Sequence, residues 1–306
     1  MGDERAVYPP GNGGWRKYEG NPVLGDEKLG TCFDIFVTEE TDGYRMYFSW
    51  RPRKSLAVVT SPDGIRWSEP RVILEPRLDT GWEDDLNRNC IVKRADGYHM
   101  WYTGQAFSAH SWIGYATSPD GYNWKRVSDA PVLFPERPFE GASVMNPCAH
   151  WDEAQRRWRM WYSGGETYEP NVLCYAESAD GIHWEKRASN PVFVCNKRHP
   201  YEQDRVAGCH VFERDGWYYL FYIGYEDIDT ARICAARSPD GLTRWQRHPA
   251  NPLVSPSPGE WDADACYKPF VLWQPENQRW VLWYNGRRKH AEYIGMAVHE
   301  GYDLGF

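Results

Sequence analysis

No apolar stretch in this chain reaches the roughly 18 residues that a membrane-spanning helix requires, so no span is expected. The opening MGDERAVYPPGNGG lacks the apolar centre of a signal peptide, and nothing in it argues for export. There is no block of lysine and arginine, and the net charge is −8. That balance argues against nucleic acid or an anionic membrane as partner. The eight cysteines (32, 90, 148, 174, 195, 209, 234 and 266) show neither CxxC nor paired spacing. They read as small buried apolar residues in a reducing cytoplasm rather than as disulfides. No GxSxG and no HExxH occurs, and the nine histidines form no ligand pair at strand spacing. Neither a metal nor a cofactor is expected. Oligomeric state is left open.

What the chain does have is a repeat. One short strand recurs as YRMYFSW (44–50), YHMWYTG (98–104), WRMWYSG (158–164), YYLFYIG (218–224) and WVLWYNG (280–286). The copies start 54, 60, 60 and 62 residues apart. Four are followed by a hydrophobic strand, a tight turn and a tryptophan: TSPDGIRW, TSPDGYNW, ESADGIHW and RSPDGLTRW. Strand-only repeats of this period predict an all-β chain, a five-bladed β-propeller of four-stranded antiparallel blades. Aromatic residues at 16%, with 17 tryptophans, suit wedge-shaped blades that need bulky filling.

The ends predict how the ring closes. Trp124, Trp184 and Trp245 are each followed seven residues later by a proline that opens the outer strand: Pro131, Pro191 and Pro252. The fifth repeat stops at Phe306 without one, yet the N-terminus supplies Trp15 and Pro22 at the same spacing. Residues 15–24 are therefore expected to complete the last blade, making residues 1–306 one domain without exposed sheet edges.

Propeller geometry sorts candidate residues by face. The SPDG turns fall on the far side, and their composition is ordinary turn chemistry. Asp63, Asp120, Asp180 and Asp240 thus have a structural role. Residues that differ between repeats gather on the near face, at the start of each first strand and the exit of each second strand. They are Asp34, Trp50, Arg51, Asp84, Asp85, Arg88, Asn89, Gln105, Asn146, Glu166, Asp204, Arg205, Glu226, Asp227, Asp264, Lys268 and Arg287. The pairs Trp82-Glu83, Phe139-Glu140, Tyr201-Glu202 and Trp261-Asp262 recur by repeat and read as scaffold.

A ring of acids with a few cations and many aromatics suits a carbohydrate. Glycosidic hydrolysis needs one carboxylic acid to protonate the leaving oxygen, and a second carboxylate to activate water or attack the sugar. The candidates for these roles are Asp34, Asp85, Glu166 and Asp204. The remaining near-face residues, Asp227 apart, are assigned to binding a small sugar.

The pattern MWYSGG…IGYATSPDGxxW…NPVL, seen in residues 98–133 and 158–193, resembles the five-bladed glycosidase superfamily. That group includes arabinanases, β-xylosidases, invertases, levansucrases and mannoside phosphorylases. The resemblance runs from residue 15 to about 300. It implies a glycoside hydrolase, with a furanoside such as an arabinofuranoside or fructofuranoside as the favoured substrate. It also implies that Asp34, in CFDIFV, is the first-blade base or nucleophile. The sequence departs from the group at two points. Asn146-Pro147 stands where an Asp-Pro step is usual, and the group's acidic glutamate has no clean match; Glu140-Gly141 is nearest. Two alternatives stay open. One is a phosphorylase or transglycosylase, with Arg88, Arg205, Lys268 and Arg287 holding an anion; the other is a non-catalytic sugar-binding propeller.

Overall fold

The computed structural model describes residues 6–107, 109–166 and 170–306, without the side chain of Cys209. After a short β1 (Trp15–Lys17), the repeats supply strands in order. The first gives β2 (Cys32–Glu40), β3 (Gly43–Trp50), β4 (Ser55–Ser61) and β5 (Arg71–Leu74). The second gives β6 (Asp85–Arg94), β7 (Gly97–Ala106), β8 (His110–Ser118) and β9 (Lys125–Arg126). The third gives β10 (Ser143–Asp152), β11 (Arg157–Gly165), β12 (Pro170–Ser178) and β13 (Glu185–Lys186). The fourth gives β14 (Arg205–Arg214), β15 (Trp217–Tyr225), β16 (Ala231–Ser238) and β17 (Gln246–Arg247). The fifth gives β18 (Ala265–Gln274), β19 (Arg279–Arg288) and β20 (Ala291–Glu300).

The first three repeats form separate four-stranded antiparallel sheets. The last two share a sheet through one parallel bridge, Ala231 to Ala265. First strands touch in cyclic order: β2 against β6, β6 against β10, β10 against β14, β14 against β18, and β18 back to β2. The all-β chain is thus arranged as a propeller would be. Among the described residues no helix is long and apolar enough to cross a membrane. The described cysteines are free thiols, all buried except the half-buried Cys195.

The repeated residues act between and within the sheets. Each SPDG-type turn is built by its own side chains. Ser61 Oγ accepts the Asp63 and Gly64 N–H groups, and Asp63 Oδ1 accepts those of Ile65 and Arg66. The glycine takes a positive φ, 74° at Gly64, which a side chain would strain. Its carbonyl then receives an indole from the neighbouring sheet. Trp283 Nε1 donates to Gly64, Trp101 to Gly181 and Trp161 to Gly241, at 2.8–3.0 Å. The fourth repeat has Phe221 where the others carry a donor, and the fifth has no SPDG turn to receive one.

A second device locks outer strands to inner ones. The buried acids Glu83, Glu140, Glu202 and Asp262 each accept the hydroxyl of their repeat's second-strand tyrosine: Tyr102, Tyr162, Tyr222 and Tyr284. Each also meets a base on the outer strand: Arg126, Lys186, Arg247 and, for Asp262, Lys17 of β1. The first repeat has Phe48 in the tyrosine column and no such acid. Asparagines of the Asn-Pro steps add to this. Asn190, Asn251 and Asn21 each accept an N–H from, and donate to the carbonyl of, one third-strand residue: Tyr175, Ala235 and Met296. N-terminal residues therefore make, on β20, the bonds that outer strands make elsewhere. β1 pairs antiparallel with β20, with Trp15 opposite His299 and Lys17 opposite Ala297.

Asp262→Ala is expected to leave the buried Lys17 ammonium and the Tyr284 hydroxyl without their partner. Breaking a buried pair in this way costs about 3–5 kcal/mol. Calorimetry should show a fall in Tm of many degrees, and Lys17→Met in the same background should recover part of it. Deleting residues 1–24 should strip β20 of its partner and yield insoluble protein; a monomer that melts within a few degrees of the parent would count against the pairing.

The turn aspartates also set an acid limit. At Asp63 and Asp120, N–H donors led by those of Arg66 and Asn123 hold the carboxyl far below the usual range. At Asp180 and Asp240 burial opposes this, and hydrogen bonds led by those of His183 and Thr243 overcome it. A depressed carboxyl contributes stability that is fully present above its unfolded pKa, about 3.9, and is lost as pH falls through the folded value. Thermal melts should hold level down to about pH 4 and fall below it. Asp120→Asn should flatten that fall and leave any turnover unchanged.

Candidate active site

Each first strand carries a β-bulge at the same place, where one extra residue opposes its partner. The register shifts lie between Phe33 and Phe36, Asn87 and Cys90, Met145 and Cys148, Ala207 and Cys209, and Tyr267 and Phe270. The bulged residues are Asp34, Arg88, Asn146, Gly208 and Lys268, and all five have φ between 50° and 56°. For a residue with a side chain this left-handed conformation costs on the order of 1–2 kcal/mol. Bulges re-aim side chains and recur beside active sites.

The strain is held by the neighbouring repeat. Asp34 N–H donates to Asn285 Oδ1 at 3.1 Å, and Arg88 N–H to Ser49 Oγ at 3.2 Å. Asn146 N–H donates to Thr103 Oγ1 at 3.3 Å and Gly208 N–H to Ser163 Oγ at 3.2 Å. The acceptors occupy one column of the second strand, the polar residue in YFSW, WYTG, WYSG and WYNG. In the fourth repeat that column holds Ile223, which offers Lys268 no acceptor. Ile223 also fills the space a side chain at 208 would need: a Cβ there would lie 2.8 Å from its Cδ1.

A cavity of about 240 Å³ opens over these bulges, with Asp34, Arg88 and Lys268 in its wall. Asp34 is 3% exposed, and neither carboxylate oxygen accepts a hydrogen bond from the described residues. Lys268 Nζ stands 3.7 Å from one oxygen and Arg88 Nε 3.9 Å from the other. Arg88 Nη1 donates to Asn87 Oδ1, and Asn87 Nδ2 donates to Gln105 Oε1, both at 2.9 Å. Arg51 lies over the Phe33 ring, and Arg287 holds the Asp229 loop through its carbonyl. Beneath the bulges a smaller space is lined by Asn89, Asn146 and Pro147. There Asn89 Nδ2 donates to the Asp34 carbonyl at 3.3 Å, and Asn146 Nδ2 to Ser163 Oγ at 3.3 Å.

The candidates from sequence thus divide. Asp34, Arg51, Arg88, Gln105, Lys268 and Arg287 line the larger cavity, and Asn89 and Asn146 lie under it. Asp85 is buried behind Arg51, 3.7 Å away, and burial pushes its carboxyl up from the usual range. The others point elsewhere. Asp84 caps the second repeat's inner hairpin by accepting the Phe107 N–H, and Asp264 does the same for Lys289 in the fifth. Glu226 pairs with Arg232 and accepts the Ala6 N–H, which fastens the N-terminal segment. Trp50 donates its indole to the Leu29 carbonyl. Asp204 pairs with its neighbour Arg205 at 2.5 Å, and neither side chain lines the cavity. Glu166 is exposed and outside it. Asp227 accepts the Asp229 and Thr230 N–H groups and shapes its own loop. For Asp84, Asp204, Glu226, Asp227 and Asp264 the reason is shared: backbone N–H groups and bases near hairpin ends hold the acid away from the cavity.

Sequence reasoning missed Glu292, Tyr267 and Tyr225, which line the same cavity as Asp34. Glu292 is the second residue of β20 and faces Arg287 across the hairpin. Burial raises its carboxyl pKa, Asp34 adds to this, and Arg51, Tyr267 and Arg287 oppose it. Its column, the start of each third strand, reads Lys54, Ser111, Pro170, Ala231 and Glu292. That variation was the signal. A second cavity of about 590 Å³ lies at the opposite ends of the same first strands, among Phe36, Val92, Cys148 and His210. It is larger, and among the described residues Glu153 is the one carboxylate in its wall.

The family described as Glycosyl hydrolases family 43 matches residues 20–303. An uncharacterized protein of Mycobacterium tuberculosis is 30% identical over 282 residues, covering 85% of this chain and 89% of its own. Among solved structures, a thermostable family-43 glycoside hydrolase superposes with a TM-score of 0.72 at 18% identity, over 90% of this chain and 91% of the other. An exo-1,5-α-L-arabinanase from a bovine ruminal metagenomic library gives a TM-score of 0.66 at 14% identity, over 92% and 95%. Likeness at such identities speaks for the fold. The family match spans almost the whole chain and includes the bulged strands and the Asp34 cavity: this chain belongs to glycosyl hydrolases family 43, and it is a glycosidase.

Proposed function

We propose that residues 1–306 form one five-bladed propeller, closed by residues 15–24, that hydrolyses the terminal glycosidic bond of a small glycoside or oligosaccharide. Asp34 is the base or nucleophile. The pairing of β1 with β20 and the cyclic contacts of the first strands support the closure. One observation carries the chemistry: a buried carboxylate in the cavity wall, flanked by two cations and accepting no hydrogen bond from the described residues. Arg88 and Lys268 set two positive charges beside that carboxylate, one facing each oxygen. Arg51, Asn87, Gln105 and Arg287 offer donors and acceptors to sugar hydroxyls, and Tyr225 and Tyr267 offer aromatic surface. A cavity of about 240 Å³ suits one sugar ring better than a long chain. A furanoside is the favoured substrate on the resemblance of residues 98–133 and 158–193 to the five-bladed glycosidases. Phosphorolysis is the second reading, favoured by Arg88 and Lys268 facing one carboxylate. Turnover that requires inorganic phosphate would select it.

Arg88→Gly separates scaffold from site. Glycine accepts the positive φ that arginine is forced into, so the melting temperature should stay level or rise by a few degrees. The cation beside Asp34 is lost, and kcat/KM should fall at least about tenfold. A large loss of stability with unchanged kinetics would make Arg88 a scaffold residue.

Asp34→Asn keeps size and removes charge and basicity. Losing a base or nucleophile costs at least about 100-fold in kcat, about 3 kcal/mol of barrier. Azide or formate should restore part of the rate, while KM should change little. A variant that keeps more than about a tenth of the parent kcat would remove Asp34 from catalysis.

A further inference from the structure

The bulge ring supplies one acid, and hydrolysis needs two carboxyl groups. Its five slots hold Asp34, Arg88, Asn146, Gly208 and Lys268, so no second carboxyl comes from it. The second must reach the cavity from another strand. Among the described residues lining the cavity, the remaining carboxyls are Asp229 and Glu292. Asp229 is exposed on a loop, and its group faces the Arg287 guanidinium from 3.8 Å. An exposed loop carboxylate paired to an arginine lacks the buried setting that suits a catalytic acid.

Glu292 is placed differently. It rises from the start of β20, a regular strand paired with β19. Its Oε2 is a buried atom that accepts no hydrogen bond from the described residues. The groups that face it are Tyr267 of β18, Asp34 of β2, Arg51 after β3 and Arg287 of β19. Burial, then Asp34, favour its neutral form, the two arginines and Tyr267 its charged form, and the net effect raises its pKa above the ordinary glutamate value.

On the reading of the site given above, we infer that Glu292 is the catalytic acid of this enzyme, supplied from the third strand of the last repeat, with Tyr267 as its positioning residue. Glu292 gives its proton to the leaving oxygen as the bond from that oxygen to the anomeric carbon breaks, and the bonding pair leaves with the oxygen. Asp34, or a water it deprotonates, supplies the pair for the new bond at the anomeric carbon. Water finally provides the hydroxyl of the released sugar and the proton that restores Glu292. Atoms and charge balance with water as the only co-reactant.

Leaving-group dependence tests this. 2,4-Dinitrophenyl glycosides need no protonated leaving group, whereas methyl glycosides of the same sugar do. Glu292→Gln should lower kcat on the methyl glycoside at least about 100-fold and on the dinitrophenyl glycoside less than about tenfold. Its pH profile should lose the alkaline limb. Asp34→Asn should lower both. Equal losses on both substrates in Glu292→Gln, or none, would overturn the assignment. Tyr267→Phe should move the alkaline limb upward while KM holds, because the phenol favours the charged form of Glu292. An unmoved limb would remove Tyr267 from the assignment. Should the parent hydrolyse no furanoside or pyranoside in a broad aryl panel, the proposed function fails first. Glu292 is then read directly by ¹³C NMR of glutamate-labelled protein, its signal identified by its loss in Glu292→Gln or, if that variant does not fold, in Glu292→Asp. Titration near the ordinary glutamate value, about 4.3, would overturn the acid role. Titration near 6 or above would uphold it.

Discussion

The hydrogen bond from a bulged N–H to a polar side chain of the preceding repeat is the contact on which the site depends. It is made four times, by Asp34, Arg88, Asn146 and Gly208, to Asn285, Ser49, Thr103 and Ser163. Each such bond gives only about 1 kcal/mol net, comparable with the cost of a non-glycine residue at positive φ. Its value lies in geometry. A bulge turned by one residue sends a side chain that would pack between sheets into the space the first strands enclose. Two repeats must be in place for each bulge to form, so the site exists only once the sheets have assembled around one another.

The same molecule uses carboxylates in two opposite ways. Glu83, Glu140, Glu202 and Asp262 are buried and saturated: a tyrosine hydroxyl and a base meet each one. A buried acid so satisfied fixes which strand lies outermost and contributes nothing to chemistry. Asp34 is as deeply buried and meets its cations only at 3.7 and 3.9 Å. The contrast, rather than burial itself, distinguishes a site from a scaffold. It also explains why recurrence marked the first group correctly as structural: a clamp must be repeated wherever an outer strand must be held.

The repeat, the turns and the outer-strand pairing were legible because each has a residue signature tied to a local requirement: glycine for φ, asparagine before proline for the third strand, tryptophan for the next sheet's carbonyl. Asp34, Arg88, Asn146 and Lys268 share one slot in the fold, the bulge of each first strand. The slot itself was hidden. A bulge leaves no mark when the residue in it is arginine or lysine, which are not enriched at positive φ as aspartate and asparagine are. Asp84, Asp264 and Glu226 were misread because an acid at a hairpin end looks the same whether it faces a cavity or caps a turn. Glu292 carries no such signature, because it stands at the beginning of a third strand rather than at a first-strand start or a second-strand exit. Its hairpin partner Arg287 was in view.

The fourth slot shows how a scaffold can give up a position and still keep a reaction. Gly208 carries no side chain, and the Cδ1 of Ile223 lies 2.8 Å from where a Cβ would stand, so a side chain there would have to displace that methyl group. Ile223 also stands where the other repeats hold the polar acceptor, so the loss of the side chain and the change of the acceptor column are one packing event. Asn146 likewise keeps the shape of an aspartate while removing its charge, which takes away a like charge that would raise the pKa of its neighbours. With both slots neutral, Arg88 and Lys268 have Asp34 as the single bulge-ring carboxylate to stabilise. Any proton donor must then stand apart from those cations, because beside them it would be ionised. Glu292, on β20 rather than in the bulge ring, is a carboxylate of the same cavity wall that those two cations do not flank.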